Sequence, residues 1–212
     1  MGSVAAYTAP QGNSGVSFGH SGVNLGISPN GATLVNAGGD PKFGVNWGSW
    51  QGGVATVNGV ATDGSTHFAA STMLTSAAQL AALPPGLVSA TYNYVGGPAP
   101  TNQLGQQGTI NSLSVGVNFS TQSITNYTVN ASIPATSTVA ATAWSASGSG
   151  TISQFTGASG ISLSGNKCSG CVPGAQGTAN GAFVGSAAEK MITSFGLKAT
   201  NQAISGVGYL SR

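Results

Sequence analysis

Charge is the scarcest thing in this sequence. Five Lys and Arg and three Asp and Glu amount to 4% of 212 residues, against about 25% in ordinary chains. A net charge of +2 excludes counterion release as a drive for nucleic-acid binding. No polybasic patch is available for a membrane surface, and there is no acidic tail. A two-metal site would use most of the carboxylates. Long apolar runs are missing too: nothing approaches the roughly 18 residues of a transmembrane helix, and no signal peptide is visible. Met1-Gly2-Ser3 reads as an expression scar, so any membrane link is expected through a missing anchor or upstream domain. Cysteine and histidine occur twice each.

What is present is Ser, Thr, Asn, Gly and Val. A hydrophobic share of 40% and aromatics at 7% exclude charge-driven disorder. Gly 34 and Pro 9 fall short of the roughly 25–30% seen in low-complexity chains. A chain this long buries about 70% of its extended surface, enough for a real core. Its surface must be built from hydroxyls and amides. That composition is expected of an extracellular or bacterial cell-surface β protein.

Residues 1–42 form a Gly-rich segment of short strands and turns, and 43–212 are expected to form the main β domain. Trp47, Ser49 and Gln51 alternate with Gly48, Trp50 and Gly52. Val54–Val57 runs into Asn58-Gly59, a strong hairpin signal, with His67–Ala70 as a candidate return strand. Thr75–Leu83 reads as a helix, capped by Thr75 or Ser76 and ended by Pro84-Pro85. Leu87–Val95 reads as a strand and Gly96–Gly108 as a loop. Leu113–Phe119 and Tyr127–Ile133 alternate cleanly and predict an antiparallel hairpin. Ser147-Gly148-Ser149-Gly150 reads as a turn between strands Val139–Ala146 and Thr151–Phe155. With no βαβ rhythm, the fold class expected is all-β: an antiparallel meander barrel of about eight strands with one or two short helices.

The last residues carry a further pattern. Gly181-Ala182-Phe183-Val184-Gly185-Ser186-Ala187-Ala188-Glu189 precedes Phe195-Gly196 and Gly206-Val207-Gly208-Tyr209-Leu210. This resembles the barrel domains of transferrin-binding-protein-B-like surface lipoproteins and the C-terminal region of bacterial ferric-citrate-regulator-type (FecR) domain proteins. Trp47-Gly48-Ser49-Trp50 and Asn111–Val115 are similar to the latter group. The resemblance implies an antiparallel barrel of about eight strands that offers loops to protein or haem-type ligands. It also implies a short helix capping a barrel end after Gly185.

Candidate chemistry is thin. Gly15-Val16-Ser17-Phe18-Gly19 matches the nucleophile-elbow pattern, with Asp40, Asp63 and His67 following in order. In so Gly- and Ser-rich a chain one such match is expected by chance, and His20-Ser21-Gly22 does not start a helix. The sequons at Asn118, Asn126 and Asn130 are likewise expected from composition. Cys168-Ser169-Gly170-Cys171 is read as a disulfide, with free thiols or metal and redox work as the alternatives. Trp47 and Trp50 lie three apart, so on a strand they face opposite sides. One of them is expected to be exposed or under a loop, where it could stack on a ligand.

Function is therefore expected on the loops, without catalysis, cofactor or metal. Trp47, Trp50, Asn102, Gln103 and Gln106 are the candidate binding residues. Partners expected are a protein or a small apolar or haem-type ligand. Self-association as a structural or adhesive module is the alternative function; an outer-membrane barrel and a serine hydrolase rank behind it.

Overall fold

The computed structural model describes residues 16–20, 23–28, 31–52, 56–57, 60–61, 65–137, 139–168, 172–200 and 202–212. Strands β1 (Val16–His20) and β2 (Val23–Ser28) pair with each other, and β2 pairs with β5 (Thr56–Val57), which pairs with β6 (Val60–Ala61). A second sheet has the order β3–β4–β7, from Thr33–Asp40, Val45–Gln51 and Thr66–Ser71. The return strand after Asn58-Gly59 is thus Val60–Ala61, and the segment around His67 instead pairs with β4. This three-stranded sheet straddles residue 43.

The remaining strands are β8 (Ser89–Gly96), β9 (Thr101–Asn102), β10 (Thr109–Asn118), β11 (Ser123–Ile133), β12 (Thr142–Thr151), β13 (Ile161–Cys168), β14 (Val172–Val184), β15 (Lys190–Ala199) and β16 (Gln202–Ser211). All but the two-residue β9 form an antiparallel meander, and β16 returns to pair with β8. The result is a closed eight-stranded barrel.

Alternation dictates its interior. Leu113, Val115 and Val117 on β10 and Tyr127, Val129, Ala131 and Ile133 on β11 are buried, while Ser114, Thr128 and Asn130 face outward. Tyr92, Trp144, Leu163, Phe183, Met191, Phe195 and Leu210 join them in one cluster. Eight strands leave an interior that side chains can fill. Two helices close one end. Ala77–Ala81 (α1) is capped by Ser76, whose hydroxyl accepts from Gln79 N at 3.2 Å while Gln79 Oε1 accepts from Ser76 N at 2.8 Å. Ile152–Phe155 (α2) repeats this box with Thr151 and Gln154. Leu80, Ile152 and Phe155 drive into the same core.

Two local expectations are corrected. Ser147–Gly150 is no turn; β12 runs through it to Thr151, and Thr151–Phe155 becomes a helix start. The glycines serve close packing, since a Cβ on Gly150 would lie 2.6 Å from the Ile161 side chain. After Gly185 the chain makes a turn through residue 189, not a helix. Gly185 (φ 91°) and Ala188 (φ 56°) are left-handed there, which reverses the chain instead of continuing one helical hand.

The three-stranded sheet lies on the outside of the barrel, over β14–β16. Val45, Val184, Ile192 and Tyr209 form a small second core with Phe43, Trp47 and Ala69 packed against it. Among the described residues no helix is long and apolar enough to cross a membrane.

Candidate functional site

The connection 97–108 folds back as a flap. Pro98 and Pro100 are buried, and β9 pairs with β16 through Thr101↔Ser205 and Asn102↔Ile204. Asn102 organises the turn: its Oδ1 accepts from Leu104 N and Gln106 N, both at 3.0 Å, and its Nδ2 donates to Gln106 Oε1 at 3.1 Å. Such side-chain-to-backbone bonding is what makes Asn a turn residue. Gln103 Oε1 accepts from Ala203 N at 2.8 Å, and Gln106 Nε2 donates to Pro134 O at 2.5 Å. Gln107 Nε2 donates to Gln51 Oε1 at 2.7 Å, tying the flap to β4. The amides expected to meet a ligand thus also build the flap.

Between this flap and the outer face of β14–β16 lies a groove of about 330 Å³. Asn102 and Gln103 line one side, and Gln176, Thr178, Lys198 and Ser205 line the other. Gly196 forms part of its floor; a Cβ there would meet nothing within 4 Å. Among the described residues the lining carries no carboxylate, imidazole or thiol. It offers hydroxyls and amides, which both donate and accept, and one ammonium. Two sequence-predicted residues, Asn102 and Gln103, therefore meet at the groove. The lining from β14–β16 is not singled out by any motif. Its only signal is the outward register of the last three strands.

The tryptophans do sit on opposite faces of β4. Trp47 is half-buried against the barrel, its ring stacked on Tyr209 at 5.5 Å and 26°. Trp50 is fully buried on the other face, 4.8 Å from Phe68, with its Nε1 unpartnered. Neither lines the groove. Cys168 ends β13, and Cys171 and any bridge lie outside the described residues. Ser17 stands inside β1, and Asp63 is outside the described residues.

Five charged residues, Asp40, Lys42, Glu189, Lys190 and Arg212, gather where the outer sheet meets the turn 185–189. Tyr209 donates to Asp40 Oδ2 at 2.6 Å, and burial, together with the Asp40 hydrogen bond and charge, holds its phenol above the usual range. Lys42 and Lys190 both approach the Phe43 ring, at 5.5 and 5.2 Å. Arg212 donates to the carbonyls of Ala187 and Ala188, and Glu189 accepts from Ala187 N at 3.0 Å. These contacts stitch the sheet and turn to the barrel. Among the described residues no three of His, Cys, Asp and Glu come together as a metal-ligand set.

His67 holds the flap from the other side, donating through Nε2 to Ala99 O at 3.1 Å. Burial pushes the imidazole below its ordinary 6.5, outweighing the opposing effect of that bond. Well above pH 6.5 the ring is neutral both folded and unfolded. Below it the unfolded chain takes up a proton that the folded chain resists, so stability falls as pH drops toward the folded value. The melting temperature should decline between pH 7 and 5, and His67→Gln should flatten that decline. An identical pH profile in the two proteins would remove His67 as the cause.

A comparison with protein-family models finds no match, and a comparison with curated proteins finds none either.

Proposed function

We propose that the chain is a non-catalytic, extracytoplasmic binding domain of a bacterial surface protein, and that it holds an uncharged, hydroxyl-bearing ligand, a neutral glycan, in the groove beside the flap. The observation that carries this reading is the groove lining: hydroxyls and amides stand on both walls, with Leu197, Ala203 and Ile204 between them for the apolar face of a sugar ring and Gly177 and Gly196 where a ligand can approach the strand backbone. The hydroxyls and amides pair with sugar hydroxyls, which also donate and accept. Few charges take part, so affinity should be nearly unchanged between low and moderate salt.

Gly196→Trp tests it. The indole enters open space on an outward strand position, so the melting temperature should hold while the groove fills. On an array of uncharged oligosaccharides the parent protein should bind and Gly196→Trp should not. Equal binding by both proteins would defeat the groove reading.

The extracytoplasmic part of the proposal includes a Cys168–Cys171 bridge, as oxidising compartments favour. Thiol titration of the unfolded, unreduced protein should find no free thiol; two would reject the bridge.

A further inference from the structure

Outward side chains fall into register around the barrel. Asn93 on β8 lies opposite Ser114 on β10, and Ser114 opposite Thr128 on β11. Thr128 lies opposite Ser147 on β12, Ser147 opposite Ser164 on β13, and Ser164 opposite Gln176 on β14. None of the six is buried. They form a belt of hydroxyls and amides running across six strands, and it ends in the groove, whose wall includes Gln176. Part of it is fixed in place: Ser114 and Thr128 share a hydrogen bond of 2.7 Å. A parallel row repeats the chemistry, with Asn130 donating to Ser112 at 2.8 Å.

The belt is also electrically blank over most of its length. The sequence holds no Asp, Glu, Lys or Arg between Asp63 and Lys167, so nothing from β8 to β12 favours a charged partner; Lys167 lies near the end of β13, and Lys198 stands opposite Gln176 where the belt meets the groove. Adjacent strands stand about 4.7–4.9 Å apart at the backbone, and on the outside of a closed barrel their side chains splay wider. A polymer laid across the strands would meet one polar side chain of the belt at each strand it crosses.

Resting on the groove reading above, we infer that the ligand is an uncharged polysaccharide strand, seated in the groove by one end and continuing over the belt from β14 toward β10. The belt adds many weak exchanges of water for sugar hydroxyls, so affinity grows with ligand length, whereas the groove alone saturates at a short ligand.

The test is calorimetric titration of ladders of neutral glucose and mannose oligomers, dimer to hexamer. Affinity should rise about tenfold or more from dimer to hexamer, equivalent to about 1.4 kcal/mol. The double variant Ser147→Glu with Ser164→Lys covers the belt with two side chains that pair across strands. It should bring the hexamer down to the dimer's affinity and leave the dimer unchanged. Equal affinity for dimer and hexamer, or a hexamer indifferent to the double variant, overturns the belt and leaves the groove standing. Dimer binding that survives Gly196→Trp overturns the groove. If no oligomer of either ladder binds, both are overturned, and the belt is a hydration surface.

Discussion

Replacing Phe183 by Ala should cost about 3–5 kcal/mol, a large part of the roughly 5–15 kcal/mol that holds a typical domain folded. The ring is 2% exposed and meets Tyr92 at 5.8 Å and Phe119 at 5.7 Å. Those partners come from β8 and the β10–β11 turn, so the cavity would open between strands on different sides of the barrel. Such strands cannot close over it without bending the hydrogen-bonded wall. Urea unfolding should show a much lower midpoint with an unchanged slope. A loss under about 1 kcal/mol would mean that the barrel interior is not the packed core described above.

Gly177→Ala should have a still larger effect, with little folded protein recovered. A Cβ at 177 overlaps the Gly196 carbonyl oxygen and comes within 3.0 Å of Leu197 Cα. Both obstacles are backbone, so no rotamer change relieves them, and β14 must separate from β15 along the register that joins Gln176↔Lys198 to Val184↔Lys190. Gly196→Ala, one register step away across the same hairpin, is the control. Its Cβ enters open space, and the substitution should be neutral or stabilise by about 0.4–1 kcal/mol through the unfolded chain. Soluble yield and far-UV dichroism of the pair decide the point. Wild-type behaviour of Gly177→Ala would refute the close approach of the two strands.

The same glycines explain what was legible in the sequence. Where alternation used large residues, as in Leu113–Phe119 and Tyr127–Ile133, strands and their hairpin could be read directly. The cap candidates Thr75 and Ser76 and the stop at Pro84-Pro85 announced α1, and the structure adds the reciprocal bonds between Ser76 and Gln79. Gly148 and Gly150 misled, because glycine signals a turn by its backbone freedom and here serves packing against β13. The outer sheet was hidden for another reason. Tyr209 and Trp47 are 162 positions apart in sequence yet stack face to face, and nothing local to either residue predicts that. The groove shares this difficulty. Asn102 and Gln103 stand out in a Pro- and Gln-rich loop, whereas Gln176, Thr178, Lys198 and Ser205 gain significance only once three strands are laid side by side.

Closure of the barrel by β16 against β8 joins Gly96 to Tyr209 and Tyr94 to Leu210, pairs separated by most of the domain. During synthesis every other strand can zip to its predecessor as it emerges. The first and last edges must wait for each other. Until then the sheet has two open edges and an uncovered aromatic face, the kind of species that pairs with neighbours. Non-local pairing of this sort also slows folding. The final strand is thus the clasp of the molecule, and a ribosome stalled before Gln202 would hold a nascent chain that is already sheet-like, not yet a barrel, and in need of a chaperone.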